Sequence, residues 1–274
     1  MSPVSGPAVV AHRGASARVP EHTLAAYVQA IEDGADALEC DVRLTADGHV
    51  VCVHDRRIDR TSSGNGVVSV MTLAELDAHD FGAWHPGSGD FALDSDPIVV
   101  DETLRRVLTL ERLLELVADA DREVGLAIET KHPNRYGPLI EERTVDLLRR
   151  FGLARPRHPQ DQRVRIMSFS QLSMRRVRSL APGLPTVFLM ERVPVRFRGG
   201  LLPFGARIAG PSIEIVRAHP GYVARVHAAG GQVHVWTVDE PADVDLCVEL
   251  GVDAIITNRP RVVLGHLGRA ESPA

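Results

Sequence analysis

Apolar positions along the chain fall into short β-branched runs, separated by stretches in which they recur every three or four residues. Val9–Ala11 is a run of the first kind and ends at His12. Thr23–Asp33 is of the second kind: Leu24, Tyr27, Val28 and Ile31 share one helical face, and Gly34 is a stop signal. Ala37–Val42 and Val50–Val53 read as extended, joined through the turn Ala46-Asp47-Gly48. Further along, helices are predicted over Leu110–Ala120, Pro138–Phe151, Gln171–Leu180, Gly221–Ala229 and Ala242–Leu250. Strands are predicted between them over Gly125–Glu129, Val164–Phe169, Thr186–Met190, a weaker Arg207–Gly210, Gln232–Thr237 and Val252–Thr257.

The main strands, beginning at Val9, Ala37, Gly125, Val164, Thr186, Arg207, Gln232 and Val252, number about eight, with helices between them. That order predicts an α/β fold of the TIM-type (β/α)8 barrel class. An open doubly wound sheet is the competing architecture, but no glycine-rich dinucleotide turn follows the first strand. Residues 55–109 interrupt the rhythm with turn clusters at Ser62–Gly66 and Pro86–Asp90 and one short helix near Leu73–Ala78. They read as an insertion after the second strand region, within a single domain spanning 1–274, with too few apolar residues for a core of their own. Arg269–Ala274 reads as a frayed tail.

Composition narrows the functional classes. Aromatics are only 4% against 44% hydrophobic residues overall, so the core must be filled by Val, Leu, Ile and Ala, as in buried parallel strands. The formal net charge of −5 provides no basic excess for nucleic acid and no polybasic run for anionic lipid. Arg192–Arg198, broken by Pro194, reads as a solvated loop. No apolar run approaches the ~20 residues of a transmembrane segment, and Met1–Pro7 lacks the pattern of a secretory signal. Cys40, Cys52 and Cys247 fit no zinc or disulfide spacing and read as buried reduced thiols, so a cytoplasmic location is expected. The oligomeric state is left open.

The candidate chemistry lies where strands end. The C-terminal strand ends of a β/α barrel carry its active site, and here they carry His12, the pair Glu39 and Asp41, His54, Glu129 and Lys131. Residues two apart on a strand point to the same side, so Glu39 and Asp41 share one face while Leu38, Cys40 and Val42 share the other. Two carboxylates at ~4 Å repel by about 4 kcal/mol at an effective dielectric of ~20. A divalent cation relieves that repulsion, and oxygen ligands favour Mg²⁺ or Ca²⁺ over zinc. The plainer alternative is a structural ion network in which Arg13 and Lys131 neutralise the acids. Two histidines able to exchange protons near neutrality, with two cations to hold an anion, complete a set suited to phosphodiester chemistry.

These residues also resemble a known family. His12-Arg13-Gly14 with Pro20-Glu21-His22-Thr23, Leu38-Glu39-Cys40-Asp41-Val42, Val53-His54-Asp55 with Asp59-Arg60-Thr61 and Gly64-x-Gly66, Glu129-x-Lys131, Trp236-Thr237 and Thr257-Asn258-x-Pro260 are similar to the ordered motifs of the glycerophosphodiester phosphodiesterases. The resemblance runs from about Val9 to Pro260. It implies a TIM barrel, a divalent metal (Mg²⁺ or Ca²⁺) held by Glu39, Asp41 and Glu129, and His12 and His54 as general acid and base. It also implies that Arg13 and Lys131 bind the phosphate of a small-molecule phosphodiester and that Trp236 packs against it. The expected products are glycerol 3-phosphate and an alcohol. A lysophospholipase D or sphingomyelinase D-like activity, or a non-catalytic phosphate-binding barrel, are the alternatives.

One position departs from the family pattern: His22 stands where Asn is usual, and it reads either as an added hydrogen-bond donor behind the metal site or, as the favoured expectation, as a cap of the helix near Thr23. Glu21 reads as a partner of the metal or of His12 rather than a ligand. His132, before Pro133, reads as a turn residue. Ser168-Phe169 is assigned either to the pocket lining or to packing. Phe81 and Trp84 are assigned either to an apolar lid or to a small core within the insertion. Met190, Glu191 and Asp239 lie at strand ends without a distinguishing pattern.

Overall fold

The computed structural model describes residues 6–83, 101–158 and 161–269. The strands are β1 (Ala8–His12), β2 (Ala37–Leu44), β3 (Val50–Cys52), β4 (Gly125–Thr130), β5 (Val164–Ser168), β6 (Thr186–Met190), β7 (Ile208–Pro211), β8 (Gln232–Val235) and β9 (Ala254–Thr257). Among the described residues, eight of them are parallel and close into a barrel in the order β1-β9-β8-β7-β6-β5-β4-β2, with β2 returning to β1. β3 stands outside the ring, antiparallel to the end of β2 that extends beyond β1. The predicted TIM-type architecture is therefore the observed one.

The helices are α1 (Leu24–Glu32), α2 (Leu73–Asp77), α3 (Leu110–Ala118), α4 (Leu139–Arg150), α5 (Gln171–Leu180), α6 (Ile213–Ala218), α7 (Gly221–Ala228), α8 (Pro241–Glu249) and α9 (Pro260–His266). Hydroxyl caps start several of them: Thr23 accepts from the Ala26 amide, Thr109 from Arg112 and Ser170 from Ser173. Each such cap is worth about 1 kcal/mol. Helices α6 and α9 were not anticipated. The first follows β7 with only Ser212 between them, so no turn signal separates it, and the second opens on the Pro260 that had read as a closing motif. Between β6 and β7 the outer helix is replaced by two single turns, Val195–Phe197 and Pro203–Gly205. The arginines there are exposed, but Phe197 is buried against Phe188 at a ring separation of 5.5 Å, so the loop is anchored rather than merely solvated.

Alternation along the strands produces two cores. Outward-facing Leu38, Cys40, Val42, Leu126, Ile128 and Ile166 pack against the helices. Inward-facing Ala37, Ala127, Met167, Val187, Ile208, Ala254 and Ile256 fill the barrel. This is the β/α barrel pattern, in which a packed interior supports a site at the strand ends.

The described part of the insertion differs from expectation in one respect. Ile58, Val68, Leu76, Phe81 and Val107 form a small core by borrowing Val51 and Val53 from the β3 strand and its end. Phe81 is 5% exposed, so it belongs to this core and not to a lid. Trp84, the cluster Pro86–Asp90 and the tail beyond Arg269 lie outside the described residues. Among the described residues no helix is long and apolar enough to cross a membrane.

Candidate active site

Strand register assembles the acids. Asp41 on β2 is the direct neighbour of Glu129 on β4, and Glu39 is the neighbour of His12 on β1. The other neighbour of Glu39 is Ala127, a small residue buried in the barrel interior. Ligand oxygens of Glu39, Asp41 and Glu129 all lie within 4.8 Å of one another, and the three residues are buried.

Burial and mutual repulsion set their electrostatics. Burial and the Asp41 charge push the Glu129 carboxyl up to about 8 against the pull of Lys131. Burial and Asp41 likewise raise Glu39 well above the usual carboxylate range. Asp41 is the reverse: against the cost of burial, Arg13, Lys131 and His22 hold it well below that range. Lys131 Nζ sits 3.1 Å from Asp41 and 2.9 Å from Glu129, and Arg13 Nε sits 3.2 Å from Asp41. The anticipated ion network thus exists, but it is incomplete. No lysine or arginine side chain ion-pairs with Glu39 among the described residues; its contacts are the Arg13 backbone N–H at 3.1 Å and the His12 ring at 3.9 Å. A buried carboxylate so placed fits a further cation, and the all-oxygen donor set fits a hard one.

The first loop is shaped to serve these acids. Arg13 and His22 both adopt left-handed backbone conformations, with φ 58° and 59°, and the His22 amide donates to the Arg13 carbonyl at 3.1 Å. Such conformations cost on the order of 1–3 kcal/mol and persist only where surroundings enforce them. Gly14, between them, has φ 86°, and a Cβ there would meet the Ala26 backbone at 2.6 Å, so no larger residue fits. The expected capping role of His22 belongs instead to Thr23. His22 is 5% exposed and points inward: Nε2 lies 2.9 Å from Asp41 Oδ2 and Nδ1 lies 2.8 Å from the Tyr27 hydroxyl. Tyr27 in turn donates to the Glu39 carbonyl at 3.0 Å. One histidine thus joins the two acidic positions of β2.

Both candidate catalytic histidines have a ring nitrogen held by a partner. His12 Nδ1 lies 2.7 Å from Asn258 Oδ1. Asn258 is itself oriented by donating Nδ2–H and N–H to Asp239 at 2.6 and 2.8 Å, so its oxygen faces His12. His12 therefore donates from Nδ1 and keeps a lone pair on Nε2. Burial, reinforced by Arg13, lowers its pKa to about 3. His54 Nδ1 lies 2.7 Å from Asp55, whose other oxygen accepts from Arg60 at 2.7 Å. Arg60 also grips Glu21 at 2.7 and 2.9 Å, and Arg43 donates twice to the His54 carbonyl. Burial lowers the pKa of His54, Arg13 and Lys131 add to this, and Asp41 and Asp55 oppose it.

A cavity of about 320 Å³ is lined by His12, Arg13, Glu39, His54, Glu129, Lys131 and Trp236, together with Met167, Phe169, Leu189, Glu191, Thr237 and Ile256. Of the eight residues assigned from sequence to catalysis, phosphate, substrate or metal, all but one border it. The exception, Asp41, lies beneath, in contact with Arg13 and Lys131. Trp236 is fixed by Nε1–H donating to the Gly210 carbonyl at 2.7 Å and meets Phe169 edge-on. His132 is more than a turn residue, since its Nε2 lies 2.6 Å from the fully buried Glu141. Sequence reasoning missed Asn258 and Asp239 as the support of His12, and Asp55 and Arg60 as the support of His54. Each sat within or beside a recognised motif, but support is a matter of partners, which spacing does not reveal.

Comparison with known proteins points one way. Residues 12–262 match the model of the glycerophosphoryl diester phosphodiesterase family. The chain is 48% identical over 254 residues to a Mycobacterium tuberculosis protein named probable glycerophosphodiester phosphodiesterase 1, covering 93% of this chain and 90% of that one. A solved glycerophosphodiester phosphodiesterase from Agrobacterium tumefaciens superposes with a TM-score of 0.72 at 26% identity, covering 94% of this chain and 99% of that one. An Oleispira antarctica phosphodiesterase, solved in complex with its product sn-glycerol-3-phosphate, superposes at 0.77 with 24% identity, covering 96% of this chain and 97% of that one.

Proposed function

The chain belongs to the glycerophosphoryl diester phosphodiesterase family and is a phosphoric diester hydrolase, and from that premise we propose how it works: it cleaves glycerophosphodiesters to glycerol 3-phosphate and an alcohol by histidine acid–base catalysis beside a divalent metal. The observation that carries this reading is the convergence of three buried carboxylates, Glu39 and Glu129 lining one cavity and Asp41 beneath it, with two cavity-lining histidines, each held by a partner.

Glu39, Asp41 and Glu129 would hold the metal, Mg²⁺ or Ca²⁺. When bound, it polarises a phosphoryl oxygen as a Lewis acid. Arg13 and Lys131, both at the cavity wall, offset the charge that develops on the phosphate. His12, with an amide as its partner and a free Nε2, is suited to receive a proton from the nucleophile. His54, with a carboxylate behind it, is the better proton carrier and is suited to protonate the leaving alcohol. Trp236 packs against the substrate.

A cavity of about 320 Å³ is of small-molecule size. The apolar lid that would have favoured a lysophospholipid loses Phe81 to the insertion core. The water-soluble diester is therefore the preferred substrate. We assign the protein to the cytoplasm, where buried free thiols such as Cys40, Cys52 and Cys247 stay reduced.

The deciding assay measures glycerol 3-phosphate release from several glycerophosphodiesters, with EDTA and with each metal restored. Turnover that needs no metal, or survives loss of both histidines, overturns the mechanism.

A further inference from the structure

Charge is unevenly distributed along the chain. Residues 162–213 hold nine arginines and a single acid, Glu191, within a protein of net charge −5. Six of these arginines are exposed: Arg175 and Arg178 on α5, and Arg192, Arg196, Arg198 and Arg207 in the connection between β6 and β7. None of the six is ion-paired with a carboxylate among the described residues. The two segments are held side by side: Arg178 Nη1 donates to the Phe204 carbonyl at 2.7 Å, and Arg196 donates to the Gln171 side chain. From the other flank, Arg225 of α7 donates to the Arg198 carbonyl at 2.8 Å and adds a further exposed cation. No single run carries this charge; it accumulates because α5 and the β6–β7 connection are neighbours in space. Glu191 lies at one edge of the patch, and Glu142 of α4 lies at another, across a groove lined by Leu172, Arg175 and Arg176.

The same surface carries apolar side chains. Among the described residues eight large apolar side chains are exposed, and five of them, Phe169, Leu172, Val195, Leu201 and Phe204, fall on this stretch. Val195 is 75% exposed, Leu201 69% and Leu172 58%, although Phe197 and Pro203 in the same connection are buried. Exposed apolar residues gathered in one region mark an interaction surface. Phe169, two residues before α5, also lines the cavity, so the surface runs up to the cavity rim.

The combination of charge and apolar tips selects the occupant. A nucleic acid would answer the arginines but has no apolar phase for Leu172, Val195 and Leu201. A second copy of the chain, docked face to face, would set arginines against arginines. An anionic bilayer satisfies both features: its headgroups pair with guanidinium groups while the apolar side chains enter the acyl boundary.

We propose that α5 and the β6–β7 connection form a docking surface for anionic lipid membranes, which holds the protein at a bilayer with the Phe169 side of its cavity mouth nearest the lipid. The attachment is peripheral and reversible, each arginine near a charged bilayer adding about fivefold to the affinity. It stands apart from the phosphodiester chemistry, since none of the residues assigned to that chemistry lies in the surface.

The test is co-sedimentation of the full chain with vesicles of phosphatidylcholine alone and with vesicles of equal parts phosphatidylcholine and phosphatidylglycerol. The protein should sediment with the anionic vesicles, far less with the neutral ones, and should be released at ~1 M salt, where the screening length falls to about 3 Å. Arg192→Gln with Arg198→Gln should weaken binding roughly 30-fold. Val195→Ser with Leu201→Ser should weaken it roughly tenfold, because both tips gain burial only in lipid. All four positions are exposed, and circular dichroism verifies that the variants fold. Equal binding to both vesicles, or binding to anionic vesicles that either double variant leaves intact, overturns the proposal. Sedimentation with neither vesicle overturns it in favour of an acidic protein partner. Dimerisation without lipid that Val195→Ser with Leu201→Ser abolishes, seen by sedimentation velocity, overturns it in favour of a second copy.

Discussion

Nε2 of His22 lies 2.9 Å from Oδ2 of Asp41, and through Tyr27 the same ring is tied to the backbone of Glu39. A partner of this kind orients a carboxylate for a metal, and loss of such partners typically costs about 10–100-fold in metal affinity. His22→Ala should therefore raise the metal concentration needed for half-maximal activity by roughly that factor. His22→Asn, which keeps an N–H donor on a shorter side chain, should recover at most part of the loss. Metal titrations of activity, read beside circular dichroism to verify folding, check this. An alanine variant with unaltered metal dependence would reduce His22 to a packing residue.

Asp55 fixes His54 from behind at 2.7 Å and is itself held by Arg60. Removing a general acid typically costs 10²–10⁴-fold, so His54→Ala should reduce kcat by roughly that amount. Asp55→Asn leaves the ring in place but removes the charge that favours its protonated form, so a smaller loss, about tenfold, is expected. The loss should be greater for diesters with poorly acidic leaving alcohols than for those with a nitrophenol, which needs no proton. Equal losses on both leaving groups would reassign His54 to another role.

The three buried acids repel one another until a cation is bound, so metal should stabilise the fold as well as activate it. A ligand at 100 times its Kd adds about 2.7 kcal/mol, provided that only the folded state binds it. At about 2–4 °C per kcal/mol for a chain of this size, Mg²⁺ or Ca²⁺ should raise Tm by several degrees. EDTA should reverse the shift, and Glu129→Gln should abolish it. Thermal scans with and without each ion decide the matter; a Tm indifferent to both would argue that Arg13 and Lys131 alone satisfy the acids.

Glu21 provides an acid-sensitive brace. Burial would raise its carboxyl, but hydrogen bonds from Arg60 and the charge of Arg13 outweigh that and lower its pKa to about 2 from 4.5. The folded-state pKa is depressed, so the unfolded chain binds the proton more readily. The associated stability, about 3 kcal/mol at most, is fully present above pH ~4.5 and is lost as pH falls toward ~2. Wild type should therefore lose more stability over that window than Glu21→Gln, in denaturant titrations at pH 5 and pH 3. Parallel losses in the two proteins would show that the brace contributes nothing.

The parts of this protein legible in the chain are those governed by local periodicity. Alternation placed Glu39 and Asp41 on one face of β2 with Leu38 and Cys40 on the other, and the structure has that arrangement. Eight strands with helices between them implied a closed barrel, and closure follows because each strand has apolar residues on both sides to bury. Helix α6 was not legible: a six-residue helix directly after a strand carries less than two turns of periodicity. For the insertion a small core is one of two readings left open, and the sequence cannot choose, since half-polar segments acquire a core only by sharing Val51 and Val53 from β3 and its end.

The sequence by itself determined the barrel, the faces of its strands and the set of ionisable groups at its rim, because each depends on residues near one another in the chain. Tertiary structure alone decided who partners whom. Asn258 reaches His12 across 246 positions, Arg60 reaches Glu21 across 39, and His22 turns away from the helix it precedes toward Asp41. Hydrogen bonds and charges act over a few ångströms of space, and only closure of the barrel brings such distant residues that close.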